Sequence, residues 1–166
     1  MSDPPIPPGA LVLLVGAAGS GKSTWAARHM PPTAVLSSDA FRALVAGDPA
    51  DQEATPDAFR VLHAVARARL KRGLITVIDA TNLTDGARRP LLALAAARGR
   101  PVIAVVFAVP LERALAQNAA RAGRRVPEAV VRMHHAQLPA AIAALRRAGV
   151  PILSPALDVA AGGRCS

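Results

Sequence analysis

The chain of 166 residues has no tyrosine, one tryptophan, three phenylalanines and a single cysteine. A lone thiol, Cys165, can neither close an internal disulfide nor build a thiolate metal cluster. That excludes a disulfide-stapled fold and suits a reducing compartment. So few aromatics do not make a stacking platform for single strands. Long apolar runs are missing as well: Leu11–Val15 is far shorter than the roughly 20 residues a membrane helix needs. The N-terminal MSDPPIPPG lacks the positive start of a signal peptide. These absences lead us to expect a soluble, cytoplasmic protein with no membrane partner. Lysine is scarce too. Only Lys22 and Lys71 occur among the 20 basic residues, the rest being arginine.

What is present is 52% apolar residues, enough for the core of one domain, and a net charge of +9. The basic excess points to a polyanionic partner, although a general alanine and arginine bias would raise the charge as well. Against that bias, a lysine kept at position 22 marks a place where a compact ammonium is wanted.

Residues 1–9 read as a proline-rich lead with no packing capacity. Leu11–Val15 is a continuous apolar run, the mark of a strand buried on both faces. A helix follows from Lys22 to about His29, stopped by Pro31 and Pro32. A strand at 34–36, a brief helix at 40–45 and a polar loop at 47–56 come next. Residues 57–72 repeat apolar side chains at helical spacing, and 74–78 form a third strand ending at Asp79. Thr84 or Asp85 caps a helix to about Arg98, 102–109 is a fourth strand, and Pro110 opens another helix. A basic connector at 121–126 precedes a helix that Pro139 should kink or break, and 150–153 is the last strand. Strands alternating with helices about five times imply an α/β fold with a parallel sheet covered on both faces. We therefore expect one domain at 10–153, with a lid at about 118–126 and a weakly structured tail at 154–166.

The chemistry is carried by Gly16-Ala-Ala-Gly19-Ser20-Gly21-Lys22-Ser23, which matches G-x-x-x-x-G-K-[ST] between a predicted strand and a predicted helix. Gly16, Gly19 and Gly21 let backbone N–H groups turn inward as an anion nest, and the helix N-terminus adds positive dipole. Lys22 reaches the outer phosphates of ATP, and the Ser23 hydroxyl takes Mg²⁺.

Asp39 ends the second strand at the same sheet edge, where it either accepts a proton from an acceptor hydroxyl or caps the next helix, a task Ser38 would serve equally. Arg42, one turn on, either clamps a substrate phosphate or is a surface arginine. Asp79 either holds a magnesium-bound water beside the substrates or caps the turn Asp79-Ala-Thr-Asn82. Arg121, Arg124 and Arg125 form either a phosphate-covering lid or a solvated loop. His134 and His135 fall beside an apolar stripe and read as packing residues, as does Trp25.

Taken in order, the P-loop, Ser37-Ser38-Asp39-x-x-Arg42, Asp79-Ala-Thr-Asn82 and Asn118-x-x-Arg121 followed by Val126-Pro127 resemble the 5′-hydroxyl polynucleotide kinase family. Within it, the chain is similar to the kinase module of bacterial RNA-repair polynucleotide kinase-phosphatases, over residues 10–153. The resemblance implies a P-loop kinase fold and transfer from ATP to 5′-OH ends of RNA or DNA. It makes Asp39 the general base and Arg42 the ligand of the acceptor's adjacent phosphate. Lys22, Ser23 and Thr24 would hold phosphates and Mg²⁺, and Arg121 would touch the donor. The family often has an arginine before the lid asparagine; here Gln117 stands there, with Arg124 or Arg125 expected to substitute. With no phosphatase or ligase segment, the chain reads as a stand-alone kinase or an excised domain. Two other readings remain: a small-molecule kinase, and a regulatory nucleotide switch, for which no N-K-x-D-like sequence is present.

Overall fold

Short apolar runs, each too brief for a helix, become the strands of one sheet. The computed structural model describes residues 6–155. Their order is β1 (Leu11–Val15), α1 (Lys22–His29), β2 (Val35–Ser37), α2 (Ser38–Ala46), α3 (Thr55–Lys71), β3 (Thr76–Asp79), α4 (Asp85–Ala97), β4 (Val102–Val106), α5 (Leu111–Ala119), α6 (Glu128–Arg147) and β5 (Ile152–Leu153). All pairings are parallel, in the spatial order β2-β3-β1-β4-β5. The α/β class and five-stranded parallel sheet expected from the sequence are present.

β1 lies in the middle of the sheet with every residue buried. Its side chains alternate between two cores. Leu11, Leu13 and Val15 join Leu62, Leu70, Leu91, Leu138 and Leu145 from α3, α4 and α6. Val12 and Leu14 meet Trp25, Val77, Val105 and Phe107 on the other face. Register then sets the active edge: Ser37 lies opposite Asp79, and Leu13 opposite Ile78. The carboxyl ends of β1, β2 and β3 therefore open together, where parallel sheets take ligands.

Several local expectations change. α6 runs unbroken through Pro139 to Arg147. A helix-interior proline costs about 3 kcal/mol, but Leu138, Ala141 and Leu145 around it are buried, and burying each large apolar side chain returns about 1.5–3 kcal/mol. α3 begins at Thr55 rather than 57 because Pro56 suits a first turn, where its missing N–H is not needed. β4 stops at Val106, and β3 starts at Thr76. The lead packs more than expected, since Ile6 rests against the α1-side core. Residues 1–5 and 156–166, Cys165 included, lie outside the described residues. Among the described residues no helix is long and apolar enough to cross a membrane.

Candidate active site

The loop from Gly16 to Gly21 leaves β1 and enters α1 through two left-handed glycines, Gly19 (φ 77°) and Gly21 (φ 95°). At Gly19 there is no room for a side chain, because a Cβ would sit 2.5 Å from the Ala114 carbonyl oxygen and 2.9 Å from the Asn118 nitrogen of α5. Helix α5 thus presses the loop into shape. Lys22 is buried, and its Nζ donates to the carbonyls of Gly16 (2.9 Å) and Ala17 (2.7 Å). Burial pushes the Lys22 ammonium down to about 8 against the pull of Asp79, while the positive charge of Arg121 pushes the same way. Ser20 Oγ is buried in the loop, with no partner among the described residues.

Ser23 Oγ donates to Asp79 Oδ2 at 2.7 Å, so the expected Mg²⁺ ligand meets the carboxylate that the sequence left as a holder of magnesium-bound water or a turn cap. Burial raises Asp79 above the usual carboxylate range, with the Ser23 bond opposing it. The distance is set by the turn that follows β3. Asn82, buried at φ 51°, donates through Nδ2 to the Leu14 carbonyl (2.7 Å), and Gly16 N donates to the Thr81 carbonyl (3.1 Å). Arg88 in turn donates to the Asn82 carbonyl at 2.9 Å. This turn buckles the end of β3 to the start of the P-loop.

At the β2 end, geometry assigns the helix cap. The cap of α2 is Ser37, whose Oγ accepts from Ala40 N at 3.4 Å, rather than Ser38 or Asp39. Asp39 is left with its carboxylate in the cleft, where Oδ1 accepts from Arg42 Nη1 (2.6 Å) and from Arg124 Nη1 (2.7 Å). Among the described residues, no hydrogen bond is made to its Oδ2. Arg42 is no surface arginine: it is buried, and its Nε donates to Thr55 Oγ1 at 3.0 Å.

The connector expected to act as a lid is closed by Asn118. Its Nδ2 donates to the Val126 carbonyl (2.7 Å) and its Oδ1 accepts from Val126 N (3.0 Å), closing the connector at its base. Arg121 and Arg124 line the cleft. Arg125 does not: it is exposed, and its Nε donates to the Arg121 carbonyl at 3.2 Å. Adjacent positions in a tight connector project to different sides, so only one of the pair can face inward.

Arg113, His134 and Phe59 also line the cleft, though the sequence marked none of them as functional. Arg113 sits one turn before Gln117 on α5. With the Gln117 amide oriented to satisfy both ends, it donates to the Gly19 carbonyl and accepts from Arg113 Nε at 3.2 Å. His134 presents a buried Nδ1 with no partner among the described residues, and burial together with the charges of Lys22 and Arg124 lowers its pKa. Phe59 lies one turn beyond Thr55 on α3. The i, i+4 spacing from Arg113 to Gln117 was visible in the sequence, but its facing the P-loop was not.

These groups surround a cleft of about 1030 Å³, at the upper end of the roughly 300–1,000 Å³ that single ligands occupy. The cleft holds the P-loop with Lys22, the Ser23–Asp79 pair, and Asp39 bonded by two guanidiniums.

The profile of the AAA domain family (AAA_33) matches residues 11–148, so the chain belongs to that family. No curated protein matches it. Solved structures share the fold. A chain of the Pnkp1/Rnl/Hen1 RNA repair complex is 24% identical with a TM-score of 0.66; the match covers 81% of this chain and 45% of that one. The AvrRxo1-ORF1:ORF2 complex with ATP is 18% identical with a TM-score of 0.66, covering 89% of this chain and 55% of that one. A sugar kinase from Janibacter sp. HTCC2649 is 21% identical with a TM-score of 0.57, covering 90% and 85%. The chain thus spans less than half the length of the RNA-repair chain it matches. The fold is that of P-loop kinases, built to bind a nucleotide such as ATP.

Proposed function

Starting from a chain of this family, we propose an ATP- and Mg²⁺-dependent kinase that transfers the γ-phosphoryl group of ATP to the 5′-hydroxyl ends of RNA or DNA. One observation carries the reading: the Asp39 carboxylate, with Arg42 buried beside it, opens into the same cleft as the P-loop. A carboxylate there serves a hydroxyl, and a buried guanidinium there serves an anion next to that hydroxyl. The net charge of +9 supports a polyanionic acceptor.

In this reading Lys22, Arg121 and the N–H groups of the P-loop hold the donor phosphates. The Ser23 hydroxyl and the Asp79 carboxylate, 2.7 Å apart, form an oxygen pair of the kind a hard cation takes. Bound there, Mg²⁺ would neutralise phosphate charge. The acceptor oxygen attacks the γ-phosphorus in line and its proton passes to Asp39. The bond to the β–γ bridging oxygen breaks, and ADP leaves with that electron pair. Arg42 fixes the acceptor, and cationic side chains offset the charge gathering on the transferred oxygens.

The deciding measurement is transfer from labelled ATP to 5′-OH RNA, 5′-OH DNA, a 5′-phosphorylated control and a panel of small alcohols including sugars and nucleosides. Label is expected on the 5′-OH oligonucleotides and not on the control. Label confined to small alcohols would replace the polynucleotide by a small-molecule acceptor.

Lys22 also predicts a pH dependence. Below about pH 8 it is charged before ATP arrives, so affinity should be flat there on its account. Above about 8 the empty site loses the proton that the polyanion needs, and ATP affinity should fall as pH rises towards 10. Calorimetric titration of MgATP across this range checks the sign. Affinity that rises over it would contradict the role given to Lys22.

A further inference from the structure

We propose that Arg124 serves the acceptor rather than the donor: with Arg42 it forms a two-guanidinium seat beside Asp39 for a phosphate ester next to the reacting hydroxyl. The inference rests on Asp39 being the acceptor's base, and it names a selecting residue that the sequence grouped with the ATP contacts.

Two guanidiniums converge on one carboxylate oxygen, Asp39 Oδ1, at 2.6 and 2.7 Å. One negative charge cannot balance two positive ones, so this end of the cleft keeps an excess positive charge that an anion would complete. Among the described residues, Arg42 commits only Nε and Nη1 and Arg124 only Nη1. The remaining N–H groups can fork onto a phosphate, a geometry guanidinium suits. Thr55 fixes Arg42 from α3, and Phe59, one turn later on that helix, also lines the cleft.

Arg124 bonds Asp39 directly, and among the described residues Arg121 makes no such bond. The charge of Arg121 is felt at Lys22 and Asp79, on the P-loop side. Arg124 reaches across to a residue 85 positions away in sequence. Its reach is set by the Asn118–Val126 clasp, which closes the connector just beside it. A neutral sugar or nucleoside has nothing to offer this seat. A phosphodiester in an oligonucleotide and a phosphate monoester on a small molecule both do, and they share the chemistry recognised.

Steady-state kinetics with three acceptors separates the possibilities: a 5′-OH oligonucleotide, a nucleoside 3′-monophosphate and the unphosphorylated nucleoside. Arg124→Ala should raise the KM of both phosphorylated acceptors by roughly ten-fold or more, the loss of one charge-assisted bond. It should leave the KM for ATP within about two-fold, and Arg124→Lys should recover part of the loss. Arg121→Ala should do the reverse, raising the KM for ATP. The two phosphorylated acceptors distinguish a polynucleotide from a small phosphorylated substrate by which one the wild type uses better.

A rise in the KM for ATP with unchanged acceptor KM in Arg124→Ala would overturn the proposal while leaving the kinase reading intact. If the wild type phosphorylates neither phosphorylated acceptor, the polynucleotide 5′-hydroxyl reading fails. Equilibrium titration of the nucleoside 3′-monophosphate then decides the seat by itself. Binding weakened by Arg124→Ala sustains it, whereas equal binding in the variant, or none in the wild type, overturns it.

Discussion

Asp39→Asn should lower the turnover of phosphoryl transfer by about 10²–10⁴-fold, the range a lost general base costs, while MgATP affinity stays within a few-fold of wild type. The substitution keeps the size of the side chain and an oxygen able to accept from Arg42 and Arg124, so the local packing should survive. What it removes is the site for the acceptor's proton. Separate measurements of kcat with a 5′-OH oligonucleotide and of ATP binding by titration test the two halves. Near-normal turnover would reduce Asp39 to an anchor for two arginines, a role its Oδ1 contacts already fill. Loss of ATP binding alongside turnover would move Asp39 to the donor side instead.

Lys22→Met should cost about 10²–10³-fold in kcat, the scale seen when one preorganised positive or hydrogen-bonding group is withdrawn from a transition state, and should also weaken ATP binding. Stability should change little, because two effects oppose. The variant loses bonds to the Gly16 and Ala17 carbonyls, about 0.5–1.5 kcal/mol each. It also relieves the burial of a charge that prefers water. The relief has a definite pH sign. The folded-state pKa is depressed to about 8 from 10.5. The cost of holding the charged form is therefore fully present below about pH 8 and vanishes as pH rises to 10.5. Thermal unfolding of variant and wild type should show the variant's relative advantage shrinking over that interval. An advantage that grows with pH would mean that Lys22 is not the buried cation described here.

Much of the donor half was legible in the chain itself. An unbroken apolar run, a glycine-spaced loop and a lysine at position 22 in an arginine-rich sequence are local signals, and local signals survive without a fold. The acceptor half was ambiguous for a physical reason. A short polar side chain at a strand–helix junction caps as well at 38 as at 39, and only the bond from the Ala40 backbone N–H to Ser37 Oγ, a residue the sequence did not single out, frees Asp39 from that task. The break expected at Pro139 failed similarly, because proline's local penalty is visible in sequence while the buried stripe that outweighs it is tertiary. Arg113, His134 and Phe59 had no sequence signal of function, since facing a cleft is a property of how α3, α5 and α6 pack.

The sequence by itself determined the alternation of buried strands and helices, the phosphate-binding loop and the positions of the acidic residues at strand ends. These depend on periodicity and on backbone freedom over a few residues. The tertiary structure alone decided which arginine reaches which partner. Arg42 and Arg124 lie 82 positions apart yet share one oxygen, while Arg125, next to Arg124, faces away. A charge's effect falls with distance in space rather than along the chain, so these assignments waited on the fold.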